Sequence, residues 1–369
     1  MCHIPFLPLQ RLTASYGSEL TEAVQRVVQS GYYLNGEALA EFEQQFAHYV
    51  QAPHCVGVAS GLDALMLSLM AMKQCYDWSD GDEVIVPDMT FVATALAVVR
   101  AGLVPVSADV DDNGLLTPEA AQRVLSARTR AVVPVHLYGH PAPMPAFMAW
   151  AEAHGLLVLE DAAQAHGASV GGRPVGSWGH MAAFSFYPGK NLGALGDGGA
   201  VTTAHPQLAE HVRMLANYGA RQKYQHEYPG INSRLDEVQA AVLSVKLRRL
   251  DADNARRRQV AAWYAQGLDR SMYRLPYGGD VTQSVFHLYP LRTSQRDALQ
   301  RYLAEHCIDT LIHYPRTLQQ QPALSASLRA PQPCQQAQCW AEHELSLPIH
   351  PLLTLSEVQR ICEVMNAFG

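Results

Sequence analysis

The chain has 369 residues and a formal net charge of -7 at pH 7. This length exceeds what one hydrophobic core usually supports and predicts two domains. With 48% hydrophobic and 17% charged residues, the composition is that of a globular protein with a sizeable core. The mild acidity favours neither a nucleic-acid nor a membrane partner, so any anionic ligand must be held by local groups.

The amino terminus and the cysteines indicate where the protein works. Residues 1–15 lack a basic start followed by a long apolar run, and no apolar stretch reaches the roughly 18 residues of a membrane span. The seven cysteines are scattered without a C-x-x-C pair, which argues against a disulfide framework or a zinc site. We therefore expect no signal peptide, no membrane span, no metal and a cytoplasmic location.

The order of the predicted elements is typical of an α/β protein. From residue 55 onward, short apolar runs alternate with amphipathic segments such as GLDALMLSLMAMK at 61–73. Continuous apolar strands separated by helices indicate a mostly parallel central sheet sandwiched by helices. Glycines between the last two apolar runs predict a tight reversal. The predicted strands lie at 55–59, 83–87, 104–110, 131–139, 156–161, 182–186 and 199–203.

The last third of the chain has a different composition. Residues 234–247 carry apolar side chains at helical spacing and predict a long amphipathic helix. Beyond about residue 250 the chain is more polar, and later it is rich in proline. We expect a large α/β domain at 1–250 and a small α+β domain at 251–369, with the amino-terminal segment contributing partly to the small one. The basic run at 255–259 is expected on a solvated helix face.

Three residues lie at the carboxyl ends of predicted strands, where ligands bind in open α/β sheets. Gly61 begins the helix after the first strand. Asp161 ends the strand at 156–161, and Lys190 follows the strand at 182–186. We expect the three to share one site.

Each of these residues has a structural and a functional interpretation. The N–H groups of Gly61, Leu62 and Asp63 in the first helical turn are expected to be unpaired and could bind a phosphate, although a simple cap by Ser60 is the commoner arrangement. Asp161 could cap a following turn or pair with a protonated ring nitrogen. A desolvated lysine such as Lys190 has a lowered pKa and forms an imine with an aldehyde. Phosphate, ring nitrogen and aldehyde together describe pyridoxal 5′-phosphate, with Phe91 as a stacking aromatic.

The sequence resembles the DegT/StrS group of sugar-nucleotide aminotransferases, which belong to the pyridoxal-phosphate-dependent transferases of fold type I. The resemblance extends over almost the whole chain. It is densest in GDEVIVP (81–87), HLYG (136–139), EDAAQAHGA (160–168), SFYPGKNLGALGDGGAV (185–201) and NSRLDEVQAAVLSVKL (232–247).

The resemblance implies roles around the cofactor ring and the sugar. Lys190 would hold the cofactor and move a proton to and from the substrate. Asp161 would keep the ring nitrogen protonated, and Gln164 would face the ring hydroxyl. Phe91 would stack on the ring. Two sugar contacts are assigned less directly, to Tyr187 and to His166, which is otherwise a structural histidine.

The resemblance also implies a phosphate site shared between subunits. Ser185 and the backbone at Gly61 and Leu62 would bind the phosphate. Many relatives have threonine where this chain has Leu62, so one hydroxyl contact is missing. Asn232 would reach the cofactor phosphate of a neighbouring subunit, and the active unit is therefore expected to be a homodimer.

The motifs look most like the branch that aminates C3 of dTDP-3-keto-6-deoxyhexoses with L-glutamate. Its products, dTDP-3-amino-3,6-dideoxyhexoses, serve O-antigen, S-layer or antibiotic sugar biosynthesis. Amination at C4 of a dTDP- or UDP-4-keto sugar is the alternative. A non-catalytic regulatory protein that binds pyridoxal phosphate is an alternative of another class. Related sugar 3-dehydratases replace the lysine with histidine, so Lys190 argues against them.

Overall fold

The structure is a computed structural model that describes residues 3–368, so Cys2 lies outside the described residues. Strands and helices alternate from residue 54 to residue 161, as the apolar runs predict, and four strands then follow without a helix between them. The helices are α1 (Leu9–Ala14), α2 (Glu19–Ser30), α3 (Glu37–Tyr49), α4 (Gly61–Cys75), α5 (Ala93–Arg100), α6 (Pro118–Val124), α7 (Met144–His154), α8 (Pro206–Leu215), α9 (Glu237–Leu247), α10 (Leu250–Gly267), α11 (Arg296–Glu305), α12 (Gln335–His343) and α13 (Leu355–Asn366). The strands are β1 (His54–Val58), β2 (Glu83–Pro87), β3 (Val104–Ala108), β4 (Thr129–Val132), β5 (Leu157–Asp161), β6 (Ser169–Val170), β7 (Arg173–Pro174), β8 (Met181–Ser185), β9 (Gly199–Thr203), β10 (Ala220–Gln222), β11 (Gln225–His226), β12 (Tyr289–Arg292) and β13 (Glu344–Leu347).

The central sheet has seven strands in the order β1-β9-β8-β5-β4-β2-β3. Neighbouring strands from β8 to β3 pair in parallel, whereas β9 runs antiparallel to both β1 and β8. Helices cover both faces, so the α/β prediction is confirmed. The reversal between β8 and β9 is not tight, because residues 186–198 separate the two strands.

Side chains alternate along each strand between two helical layers. In β2, Val84 and Val86 belong to the buried cluster that includes residues of α4, α5 and α8, whereas Ile85 belongs to the cluster that includes residues of α6 and α7. Alternation of this kind is the period-two pattern of a strand buried on both faces. The sheet is therefore a rigid middle layer whose strand ends hold the candidate site.

The amino-terminal helices, for which the sequence pattern gave no prediction, brace one edge of the sheet. Phe46 of α3 meets Phe184 of β8 edge to face at 4.9 Å between ring centroids, and Phe42 meets Phe186 in the same way at 5.3 Å. Edge-to-face pairs add to the stability gained from burial. This aromatic cluster fixes the end of β8, immediately before the loop that carries Lys190.

A second core lies in the carboxyl-terminal part of the chain. It is built from α10, α11, α13 and the antiparallel pair β12–β13. Ile4 joins this core and forms a bridge with Ile308, so the amino-terminal end packs against the carboxyl-terminal part. Helix α10 connects the two cores, because Leu250 packs beneath the central sheet and Val260 packs in the second core.

The position of α10 corrects one expectation about the basic run at 255–259. Arg257 is only 4% exposed, and its Nη1 donates to the carbonyl oxygens of Phe286 at 3.2 Å and Ile349 at 2.9 Å. Arg256 also bonds backbone carbonyls. The prediction of a solvated helix face is wrong for these two residues, because α10 lies between two cores and uses them to join its neighbours.

Three further properties concern covalent bonds, membranes and metals. The six cysteines in the described part of the chain are free thiols. No helix within residues 3–368 is long and apolar enough to cross a membrane. Over the same residues, no group of three or more histidine, cysteine, aspartate or glutamate side chains is arranged to hold a metal ion.

Candidate active site

The start of α4 combines a cap with free backbone donors. The Ser60 hydroxyl accepts a hydrogen bond from the Asp63 N–H at 3.1 Å, and the Ser60 carbonyl accepts one from Ala64 at 2.9 Å. Within residues 3–368 the N–H groups of Gly61 and Leu62 have no such partner. The expectation of a free Asp63 N–H is wrong, because the cap takes it. Two donors at a positive helix end remain available for an anion.

The last residue of β8, Ser185, and the first residue of β9, Gly199, come unusually close to the start of α4. A Cβ placed on Gly61 would lie 2.6 Å from the Cβ of Ser185, and one placed on Gly199 would lie 2.4 Å from the Ser60 carbonyl oxygen. Only glycine permits both approaches. The Ser185 hydroxyl is thereby brought beside the free N–H groups of Gly61 and Leu62. Together these groups form an anion cradle at the helix start.

Asp161 lies at the carboxyl end of β5 and is 5% exposed. One carboxylate oxygen accepts from the Thr94 hydroxyl at 2.8 Å and the other from the Ala163 N–H at 3.2 Å. Burial raises the pKa of Asp161, and the two hydrogen bonds and the charge of Lys190 oppose that shift. A buried carboxylate held mainly by neutral donors is stabilised when a cation comes beside it.

Lys190 lies in the loop between β8 and β9. Its backbone N–H donates to the Tyr187 carbonyl at 2.8 Å. Burial lowers the pKa of Lys190 to about 8, with the Asp161 carboxylate opposing the shift. Among the described residues, its Nζ has neither a hydrogen bond nor an ion pair. With this pKa, about one tenth of the amine is neutral at pH 7 and able to act as a nucleophile.

Two polar contacts hold the loop in the residues that follow Lys190. The Asn191 amide donates to Asn254 Oδ1 on α10 at 2.9 Å. Lys246 Nζ, from α9, donates to the Gly193 carbonyl at 2.6 Å. These contacts tie residues directly after Lys190 to two different helices. The amine therefore extends from a fixed backbone rather than from a flexible loop.

Gln164 is held by two tyrosines. Its Oε1 accepts from the Tyr138 N–H at 2.6 Å, and its Nε2 donates to the Tyr314 hydroxyl at 3.0 Å. The Tyr314 ring lies 5.5 Å from the ring of Phe91, which is itself 52% exposed. Gln164, Tyr314 and Phe91 thus form one continuous set of neighbours beside the strand ends.

Sequence reasoning did not identify Thr94, Tyr138 or Tyr314. Thr94 belongs to the first turn of α5, and nothing in its local pattern distinguishes it from an ordinary helix residue. Tyr138 belongs to the HLYG run at the end of the predicted strand 131–139, yet it lies in a turn with a φ of 59°. Tyr314 comes from the proline-rich region of the carboxyl-terminal part, where no periodic signal is present.

The remaining predicted residues differ in how far their side chains are exposed. His166 is 1% exposed and packs 5.5 Å from the Phe184 ring, and burial lowers its pKa to about 3. A direct sugar contact requires an exposed ring, which His166 does not offer. Tyr187 is 59% exposed. Asn232 is exposed, and its Oδ1 accepts from Arg234 Nε at 2.8 Å.

The arrangement defines a class of enzyme. The cradle at Gly61 offers a phosphate site, Asp161 offers a counter-charge for a protonated ring nitrogen, and Lys190 offers a free amine for an aldehyde. All three lie at the carboxyl ends of strands of a mostly parallel sheet. The described residues therefore fit pyridoxal 5′-phosphate, and the fold and site are those of a pyridoxal-phosphate-dependent enzyme.

Comparison with known proteins gives the family. The model of the DegT/DnrJ/EryC1/StrS aminotransferase family matches residues 15–366. The chain belongs to this family, and it is a pyridoxal-phosphate-dependent aminotransferase.

Individual relatives are similar over their whole length. The chain is 46% identical over 368 residues to the dTDP-3-amino-3,4,6-trideoxy-alpha-D-glucose transaminase of Streptomyces venezuelae, which covers 99% of this chain and 96% of that protein. It is 45% identical over 367 residues to the dTDP-3-amino-3,6-dideoxy-alpha-D-galactopyranose transaminase of Aneurinibacillus thermoaerophilus, with 99% of both chains covered. The crystal structure of S. venezuelae DesV in complex with a ketimine intermediate matches with a TM-score of 0.94 at 46% identity, covering 99% of this chain and 98% of that one.

Proposed function

We propose that the protein transfers the amino group of L-glutamate to C3 of a dTDP-3-keto-6-deoxyhexose, giving a dTDP-3-amino-3,6-dideoxyhexose. The observation that carries the proposal is the unpartnered amine of Lys190, which shares a strand-end site with the buried Asp161 and the anion cradle. Bound pyridoxal phosphate supplies an electron sink and an aldehyde that accepts amino groups.

The residues of this site divide the work by position. Lys190 Nζ would hold the cofactor at its aldehyde carbon and would carry the proton to and from the substrate carbon. Asp161 keeps a proton on the ring nitrogen, since its buried charge is stabilised by that cation. Gln164 orients the ring hydroxyl, and Phe91 covers the ring face.

The phosphate role follows from the start of α4. The N–H groups of Gly61 and Leu62 and the hydroxyl of Ser185 bind the cofactor phosphate. Because Leu62 has no hydroxyl, the backbone donors provide most of this contact. The cap at Ser60 keeps the first turn in place without occupying these donors.

The choice of C3 and of a thymidine nucleotide rests on the relatives. Both transaminases named above carry dTDP and an amino group at position 3 in their names, at 46% and 45% identity. Their sugars differ, one being a 3,4,6-trideoxyglucose and the other a 3,6-dideoxygalactose. The position of the amino group is therefore the better supported part of the proposal, and the hexose is the part to establish by experiment.

The test is a product analysis. Purified protein is incubated with dTDP-4-keto-6-deoxyglucose and L-glutamate, with and without a 3,4-ketoisomerase, and the product is identified by mass spectrometry and NMR. We expect a 3-amino sugar only when the isomerase is present. Amination without the isomerase would establish the C4 alternative. Cofactor absorbance without turnover of any keto sugar would favour the regulatory alternative.

We further propose that two copies of the chain share each active site. Two aromatic side chains beside the candidate site, Phe91 and Tyr187, are 52% and 59% exposed in this single chain. Exposed aromatic residues beside a site are typical of a contact surface. Asn232, also exposed, would then bind the cofactor phosphate in the other copy, and Tyr187 would contact the sugar.

Mixing two inactive variants tests this sharing directly. In a mixed dimer of Lys190→Ala with Asn232→Ala, one active site is complete, because it takes Lys190 from the Asn232→Ala copy and Asn232 from the Lys190→Ala copy. The other site lacks both residues. We expect activity to reappear on mixing after mild dissociation, at about one quarter of the wild-type value, because half of the dimers are mixed and each has one intact site. If Asn232 acts only within its own chain, mixing restores nothing.

A further inference from the structure

A cavity separate from the candidate active site opens between the second core and the loop before α6. Its volume is about 390 Å³, within the range of small-molecule sites. The side chains that determine its chemistry are three arginines and three aromatic residues. They are Arg270, Arg274, Arg292, Tyr273, Tyr277 and Trp340.

The cavity concentrates positive charge around one carboxylate. Arg292 is 7% exposed, and its Nη2 donates to Asp112 Oδ1 at 2.8 Å. Arg274 pairs with the other oxygen of Asp112. Arg270 has no acidic partner among the described residues, since its Nη2 donates only to the Ala265 carbonyl at 3.4 Å. Three cations therefore face a single carboxylate in the cavity wall.

The cations also repel one another. The pKa of Arg274 is lowered by burial and by the nearby charge of Arg292. Asp111, the residue before Asp112, has its Oδ1 occupied by the N–H groups of Asn113 and Leu115, each at 2.9 Å. An anion entering the cavity would relieve this repulsion and would meet guanidinium groups, which match phosphate geometry.

The walls beside the arginines are aromatic. The Arg292 guanidinium lies over the Trp340 ring at 4.6 Å from its centroid. Trp340 is buried, and among residues 3–368 its indole N–H has no hydrogen-bond partner. Tyr273 and Tyr277 line the same cavity. Planar apolar walls next to a cluster of guanidinium groups suit a ligand with a ring at one end and an anion at the other.

We propose that this cavity is a second ligand site, which binds a phosphate-bearing ligand of mononucleotide size. The phosphate lies against Arg270, Arg274 and Arg292, and the ring lies against the tyrosines. The proposal stands on these residues and does not depend on which sugar the active site aminates.

Two aromatic residues of the cavity contact the turn that holds Gln164 in the candidate active site. The Trp340 ring lies 5.7 Å from the ring of Tyr138, whose backbone N–H binds Gln164. Tyr277 stacks on His140, two residues further along the same turn, at 3.7 Å. A ligand in the cavity therefore rests against the turn that holds Gln164, without touching the cofactor residues themselves.

Isothermal titration of the cofactor-loaded protein with AMP and with inorganic phosphate tests the proposal. We expect AMP to bind with a Kd below about 1 mM and inorganic phosphate to bind several-fold more weakly, because it leaves the aromatic walls uncovered. Arg270→Glu should weaken AMP binding by more than about tenfold, and Arg270→Lys should weaken it less, because lysine keeps the charge but loses the guanidinium fork. Arg301→Glu, at an exposed position on α11, is the matched control for the change of charge and should bind as the wild type does.

The outcomes separate the cavity from other anion sites. Equal AMP binding by Arg270→Glu and wild type would overturn the proposal, since the nucleotide would then lie elsewhere. The absence of AMP binding to the wild type would overturn it as well. Equal affinities for AMP and inorganic phosphate would show a simple anion site and contradict the assigned ligand class. Thermal unfolding of each variant checks that the arginine substitutions leave the fold intact.

Discussion

Two lysines, Lys190 in the loop between β8 and β9 and Lys246 on the helix that bonds to this loop, illustrate what makes a lysine reactive. Burial lowers the pKa of Lys190 and of Lys246 alike, to about 8, and in each case an aspartate opposes the shift. The difference lies in the partners of the amine. Lys246 Nζ donates to the Gly193 carbonyl at 2.6 Å, whereas Lys190 Nζ has no partner among the described residues. A lowered pKa thus marks burial, and the unoccupied amine marks the nucleophile.

The two lysines also differ in what surrounds them. Lys246 is part of the regular helix α9, and its charge lies 5.8 Å from the ring of Tyr16. Lys190 extends from the loop at the carboxyl end of β8, and its amine interacts electrostatically with Asp161. Lys246 therefore holds the loop in place, and Lys190 depends on that placement for the position of its amine. The following experiments would separate these two roles.

The largest effect is expected from Lys190→Ala. This change removes the covalent attachment and the proton carrier together, so turnover should fall by about 10⁴-fold or more. Steady-state kinetics and borohydride labelling followed by peptide mapping provide the measurement. Lys246→Ala is the matched control and should keep the label at position 190. A label on position 246 in the wild type would invert the assignment.

Asp161→Asn should have the next largest effect. Asparagine keeps the shape but removes the charge opposite the ring nitrogen, so turnover should fall by about 10²- to 10³-fold and cofactor should dissociate more readily. Absorbance during dialysis and single-turnover kinetics report the two effects. Thr94→Val keeps the Asp161 carboxylate and removes one of its hydrogen-bond donors, so turnover should fall only several-fold. Full activity in Asp161→Asn would refute the ring-nitrogen role.

The pH dependence of cofactor uptake should distinguish the free lysine from its partnered neighbour. Protonated amine does not attack an aldehyde, so the rate at which apoenzyme takes up pyridoxal phosphate should follow the neutral fraction of Lys190. With a pKa of about 8, the rate should rise about tenfold between pH 7 and pH 9 and then level off. Stopped-flow absorbance measures it. Lys246→Met should leave the midpoint unchanged, whereas a rate still rising steeply at pH 10 would contradict the lowered pKa.

The smallest effect is expected from Lys246→Met itself. Methionine keeps the apolar stem and loses the hydrogen bond to Gly193, a contact of about 1 kcal/mol, so turnover should fall about fivefold or less. Cofactor affinity should hardly change, since the cradle and Asp161 are untouched. Equilibrium dialysis beside kinetics separates the two quantities. A loss as large as that of Lys190→Ala would mean that the two lysines do not have distinct roles.

Much of the fold and the centre of the site could be predicted from the sequence. Apolar runs identify strands because burial on both faces leaves no polar alternation, and strand ends then place Gly61, Asp161 and Lys190 together. The resemblance added residue roles that spacing alone does not give. Thr94 and Tyr314 were missed because their contacts arise from segments distant in sequence. Arg257 was misjudged because a charged run normally faces solvent.

The antiparallel direction of β9 has a consequence for how this chain tolerates change. Strands β8 and β9 pair with each other, so the two ends of the lysine loop are held on adjacent strands, about 5 Å apart. Neither end has freedom to slide, so an inserted or deleted residue at 186–198 must be absorbed within the loop. Substitutions at its exposed positions should therefore be tolerated far more readily than changes of its length.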